Sequence, residues 1–147
     1  MTTTQLYKHI LIATDLSEHS DYVAKRAASI AHTMRATLSV IHVLAHTPVA
    51  YAGEFSIPID AEFEAILEKQ ASMQLAKLGK KYDIPADQQH LAQGSVKFSV
   101  TESAEKIKAD LIVVGTHGHT GLELLLGSQA NGILHAAKCD VWVIHIK

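Results

Sequence analysis

The stretch from Gly115 to Gly132 reads GTHGHTGLELLLGSQANG, with glycines at 115, 118, 121, 127 and 132 and histidines at 117 and 119. Glycine lets a backbone approach a ligand closely and adopt positive φ. Gly127-Ser128 stands where a helix is expected to begin, and a helix N-terminus offers backbone N–H groups and a favourable dipole to a phosphate. The Ser128 hydroxyl either caps that helix or donates to a phosphate oxygen. A plain glycine-rich turn with a capped helix fits the same letters. The P-loop pattern G-x-x-x-x-G-K-[ST] is absent, as is the G-x-G-x-x-G dinucleotide fingerprint. No lysine or arginine lies between Gly115 and Gly132. Such a loop can hold phosphates through backbone donors but has little to stabilise transition-state charge. No catalytic residue is assigned.

Asp15 is the other residue placed for chemistry. It follows the apolar run HILIA (residues 9–13) and Thr14. A carboxylate there accepts hydrogen bonds from hydroxyls or an amino group, or simply caps its own loop. A phosphoacceptor role would call for a further acidic pair near the first strand and a lysine after the fifth, and neither is evident. His117 and His119 invite a metal reading, but a metal needs three or four converging ligands and no further cluster stands out. They read as loop residues or as imidazoles beside a phosphate, and no metal site is assigned. Cys139 precedes a buried-looking strand and reads as a quiet structural thiol.

The elements that must position these residues alternate. Short apolar runs at 9–13, 37–44, 110–115 and 141–146 read as strands, with a weaker one, QHLAQ, at 89–93. Near-continuous apolar strands are those of a parallel sheet covered on both faces. Ser17 is the expected N-cap of a first helix running to Met34, with Val23, Ala27, Ile30 and Ala31 at helical spacing. Further helices are expected from Pro58 to Lys81, from Val96 to Lys108 and around Ser128 to Ala137, with 45–57 as a loop. The order β-α-β-α-β-α-β-α-β predicts an α/β fold: a five-stranded parallel sheet with helices on both faces, flavodoxin-like or Rossmann-like, strand order 3-2-1-4-5. Ligands of such sheets sit beyond the carboxyl ends of the strands, where the winding reverses. That point falls between the Ala13-Thr14-Asp15 and Gly115-Thr116-His117-Gly118 segments.

Composition bounds the rest. The 147 residues carry 13 Lys+Arg and 15 Asp+Glu, a net charge of −2, with 48% hydrophobic residues and one cysteine. These values predict a single globular domain over 1–147 with no disulfide framework. They give no electrostatic footprint for nucleic acid or a membrane surface. No apolar run has the roughly 18 residues a span requires, and the start, MTTTQLYKHI, does not read as a secretory signal. The cytoplasm is the expected location. The last strand is nearly all apolar and falls at a sheet edge, which predicts a homodimer joined through it.

The landmarks KHILIATDLSEHS, SVIHVL, ADLIVVGTHGHTGL and LLGS together resemble the universal stress proteins of the UspA type over nearly the whole chain. The nucleotide-binding branch of that family carries glycine, two residues, glycine, nine residues, then glycine and Ser/Thr. Gly115 and Gly118 match the first pair and Gly127-Ser128 the last, with eight residues between Gly118 and Gly127. The resemblance implies a stress-response or regulatory module that binds ATP or AMP, with Mg2+ accompanying ATP. By the same resemblance Ala13, Thr14 and Asp15 line the adenosine end with Val43 beside the base. Val114 and Gly115 run along the ribose, and His117, Gly118, Gly127, Ser128 and Gln129 lie near the phosphates. Family members of this kind are also dimers. The alternatives are a slow ATP hydrolase or nucleotidyl-transfer enzyme of the same fold, and an interaction module without nucleotide.

Overall fold

The computed structural model describes residues 5–44, 50–52, 55–57, 61–116 and 128–146. Along the chain run β1 (His9–Thr14), α1 (Ser20–Met34), β2 (Thr37–Leu44), β3 (Ala50–Ala52), β4 (Phe55–Ile57), α2 (Ala61–Tyr82), β5 (Gln89–Gln93), α3 (Val96–Lys106), β6 (Leu111–Gly115), α4 (Ser128–Ala136) and β7 (Asp140–Ile144). Five of the strands form one sheet in the order β5-β2-β1-β6-β7, every neighbouring pair parallel. This is the expected 3-2-1-4-5 order.

β1 lies at the centre because its sequence tolerates no water on either face. Ile10, Leu11 and Ile12 are all fully buried. Successive side chains of a strand point to opposite faces, so Ile10 and Ile12 join Val23, Ala24, Ala27, Leu75 and Leu78 of α1 and α2. Leu11 joins Val100, Ala104, Ala130 and Ile133 of α3 and α4. The winding from β1 to β2 and β5 runs one way across the sheet, and that from β6 to β7 runs the other. Right-handed crossovers then put α1 and α2 on one face and α3 and α4 on the opposite one.

Several boundaries differ from the sequence reading. The expected loop at 45–57 contains an antiparallel pair, with Ala50 opposite Ile57, Tyr51 opposite Ser56 and Ala52 opposite Phe55. The β-prone Tyr51, Phe55 and Ile57, separated by Gly53-Glu54, carry the hairpin signal. The expected helix start at Pro58 lies outside the described residues. Ser17 does not cap α1. The helix begins at Ser20 after His19, which makes no side-chain cap, and Ser17 instead accepts from His19 N through its hydroxyl at 3.2 Å. The turn expected at Gly94-Ser95 is present: Gly94 takes φ 120° and Ser95 caps α3 by accepting from Phe98 N. The last strand ends at Ile144 rather than at Ile146. No helix among the described residues is long and apolar enough to cross a membrane.

A polar side chain lies among the apolar ones on the face that carries Ile41 and Val43. Ser39 is fully buried. Its hydroxyl donates to Gln88 Oε1 and lies 2.6 Å from His9 Nε2, whose other nitrogen meets Ile107 O at 3.1 Å. Nearby, His90 has its pKa pushed down, first by burial and then by His9. Ser39→Ala should therefore strand two polar partners and cost about 1–3 kcal/mol, read as a lower urea midpoint with an unchanged m-value.

Candidate functional site

β1 and β6 are neighbours, with Ile12 beside Val113, and both run toward the same end of the sheet. Thr14 and Gly115 thus leave the sheet side by side. The helices that follow them lie on opposite faces, which opens the crevice of a doubly wound sheet between the two strand ends. Ala13, Thr14, Asp15, Val114 and Gly115 stand at these two strand ends.

The chain beyond β1 folds into a run of tight turns, each tied by a side chain accepting from an amide two residues on. Leu16 N donates to Thr14 Oγ1 at 3.1 Å, Ser17 N to Asp15 Oδ1 at 2.9 Å and His19 N to Ser17 Oγ at 3.2 Å. Thr, Asp and Ser are the residue types that make such local bonds. Leu16 takes φ 57° within the run. Asp15 therefore does cap its own loop, but with one oxygen. Asp15 is half-buried at the end of β1, and the bond to Ser17 N uses Oδ1 of its carboxylate.

Alternation of the strands sorts the other residues. Val43 and Val114 point into the α3–α4 layer and are 7% and 3% exposed. The resemblance places Val43 beside a base, and in the structure its side chain belongs to the core. Gly115 also has a reason other than positive φ, which among the described glycines occurs at Gly94. A Cβ at 115 would meet Ile146 Cδ1 at 2.6 Å and Val23 Cγ2 at 3.1 Å. The segment after β7 closes over the end of β6. Thr116 N donates to Ile144 O and Ile146 N donates to Thr116 Oγ1, each at 3.0 Å. Ser128 is the first residue of α4 and Gln129, next to it, is exposed. His117, Gly118 and Gly127 lie outside the described residues.

Sequence reasoning missed Ile146 and His42. Ile146 closes on Thr116 in the clamp just described, and only the pairing of β6 with β7 brings the two together. His42 sits in β2 opposite Thr14, and its Nδ1 is 2.9 Å from Thr14 O. The letters SVIHVL show the residue but not its register. Among the described residues no three His, Cys, Asp or Glu side chains converge as a metal would need; His117 and His119 are outside that set. Cys139 is half-buried, and burial, then Asp140 and Asp110, raises its pKa, as suits an unreactive thiol.

The fold and these strand ends are those of a known family. Residues 6–145 match the model of the universal stress protein family. The chain is 53% identical over 141 residues to universal stress protein A homolog 1 of Coxiella burnetii, covering 96% of this chain and 98% of that one. It is 36% identical to universal stress protein MJ0531 of Methanocaldococcus jannaschii, with 95% and 82% covered. Among solved structures it superposes on hypothetical protein MJ0577 with a TM-score of 0.80 at 23% identity, covering 97% of this chain and 98% of that one. A universal stress protein in complex with cAMP superposes with a TM-score of 0.69 at 21% identity, over 95% and 97% of the two chains. The chain belongs to the universal stress protein family.

The clamp on Gly115 generates a test. Gly115→Ala should push Ile146 aside and destabilise the fold by about 1–3 kcal/mol, the usual range for overpacking. Shortening the clashing side chain with Ile146→Val in the same chain should recover part of the loss. The two changes, compared by urea denaturation, should fall clearly short of additivity.

Proposed function

We propose that this chain binds an adenine nucleotide, ATP or AMP, in the crevice between β1 and β6 and acts as a cytoplasmic stress-response or regulatory module. The observation that carries the reading is the Asp15 carboxylate, pinned through Oδ1 at the switch point of the sheet, where its other oxygen, Oδ2, would accept from a ligand. A ribose hydroxyl or an exocyclic amine supplies the donor that such an oxygen takes. The start of α4 at Ser128 suits the phosphates, whose negative charge the helix dipole favours. Gly118 and Gly127 enter through their match to the family's glycine spacing, and His117, Gln129, Val43, Val114 and the backbone of Ala13 through the wider resemblance. Mg2+ would enter on the phosphates of ATP. A fold relative crystallised with cAMP adds support from the same ligand class.

The hydrolase alternative lacks a cation in the glycine segment, where neither lysine nor arginine occurs from Gly115 to Gly132. We therefore favour binding without turnover. Asp15→Ala should weaken AMP and ATP binding by about 1–3 kcal/mol, the worth of a hydrogen bond to a charged group. Calorimetry that finds unchanged affinity would remove Asp15 from the site, and a parent that binds neither nucleotide would overturn the reading.

We also propose a homodimer through β7. This strand forms one edge of the sheet, and an edge left open is a template for pairing with another chain. A twofold axis satisfies both edges with one patch. Ile144 is 7% exposed and belongs to the core, so a charge there would report unfolding. Trp142 is the better probe, being 37% exposed with its ring edge-on to Tyr7 at 5.7 Å. Trp142→Lys should halve the mass seen by light scattering at micromolar concentration and keep the far-UV spectrum. A parent mass near 15.9 kDa would end the dimer proposal.

A further inference from the structure

His42 is a half-buried residue of β2, on the face that carries Val40, and it lies opposite the last residue of β1 in the parallel register. Its Nδ1 stands 2.9 Å from Thr14 O. A carbonyl only accepts, so Nδ1 carries a proton and donates, and this fixes how the ring sits.

Thr14 is where the ladder between β1 and β2 stops, with Thr14 opposite His42 as its last pair. One residue later comes Asp15, and then Leu16 in the left-handed region at φ 57°. A leucine stays in that conformation only where its surroundings hold it. On the far side the turn is held by Ser17, whose carbonyl accepts from Ser20 N at 3.0 Å. On the near side a side-chain tie comes from a neighbouring strand, through the His42 ring.

We propose that His42 is a positioning residue for the crevice. By donating to the terminal carbonyl of β1 it fixes the departure of the chain from the sheet, and with it the direction of the Asp15 carboxylate. The inference rests on the nucleotide reading for its binding consequence, but not for its structural one.

The test uses the full chain, AMP as the probe and three substitutions. His42→Ala removes the donor. His42→Asn keeps an amide nitrogen at the same distance from Cβ as Nδ1, and His42→Gln moves it one carbon further out. His42→Ala should weaken AMP binding about tenfold, the effect of losing one good hydrogen bond. It should also speed hydrogen exchange at the Leu16 and Ser17 amides about tenfold, while the Leu11 and Ile12 amides keep the parent rate. His42→Asn should restore both readouts and His42→Gln neither. Unchanged exchange at Leu16 and Ser17 in His42→Ala overturns the proposal, as does equal loss in the Asn and Gln variants. If the parent chain itself binds neither AMP nor ATP, the nucleotide reading falls by itself. The positioning role is then decided by exchange alone: faster in His42→Ala and restored in His42→Asn upholds it, and any other pattern overturns it.

Discussion

A strand with no wet face and no free edge organises this molecule. Ile10, Leu11 and Ile12 are fully buried, and β1 is paired on both sides, with β2 and with β6. Such a strand must be covered twice, so the chain has to supply helices to both faces. Connections of one hand do this only by winding away from β1 in both directions. The reversal of winding opens the crevice. The position of the candidate site thus follows from the hydrophobicity of three consecutive residues, long before any polar group is considered.

At the crevice, polar groups are secured by local means on one side and by distant ones on the other. Beyond β1, Thr14, Asp15 and Ser17 each hold an amide two residues on. Beyond β6, Thr116 is held by Ile144 and Ile146 from the neighbouring strand and the segment after it. The first arrangement needs, beyond its own residues, only the neighbouring β2, whose His42 meets Thr14 O. The second exists only once β7 has paired with β6. The two walls of the site therefore differ in how much of the fold each one needs.

That difference also decides what was legible in the sequence. The five strands and their order could be read because parallel strands buried on both faces are written as unbroken apolar runs, and helices as spaced ones. Asp15 could be read because it follows such a run directly. Val43 was readable as a position but not as a direction: the parity of the strand sends it into the α3–α4 layer, and parity shows only once the register is fixed. Gly115 looked like a backbone that needs freedom, whereas the structure gives it the packing of Ile146 and Val23. The β3–β4 pair escaped because three-residue strands scarcely exceed the noise of a loop. Serine before a helical pattern usually caps it, but here the turn after β1 engages the Ser17 hydroxyl instead.

The run of turns after β1 has a consequence for which end of a ligand it can face. In many doubly wound proteins the first strand opens onto a helix whose unused amides cradle a phosphate. Here the amides of Leu16, Ser17, His19 and Ser20 are already spent on Thr14, Asp15 and Ser17. What the turn presents toward a ligand is the Asp15 carboxylate, beside two hydroxyls that accept from the amides and keep their own protons. An anion brought to this wall would meet that negative charge, and a sugar or an amine would find an acceptor. The wall beyond β1 is thus polarised by which atoms the chain has already used, and under the proposed function a nucleotide would be sorted head from tail there before any shape is matched.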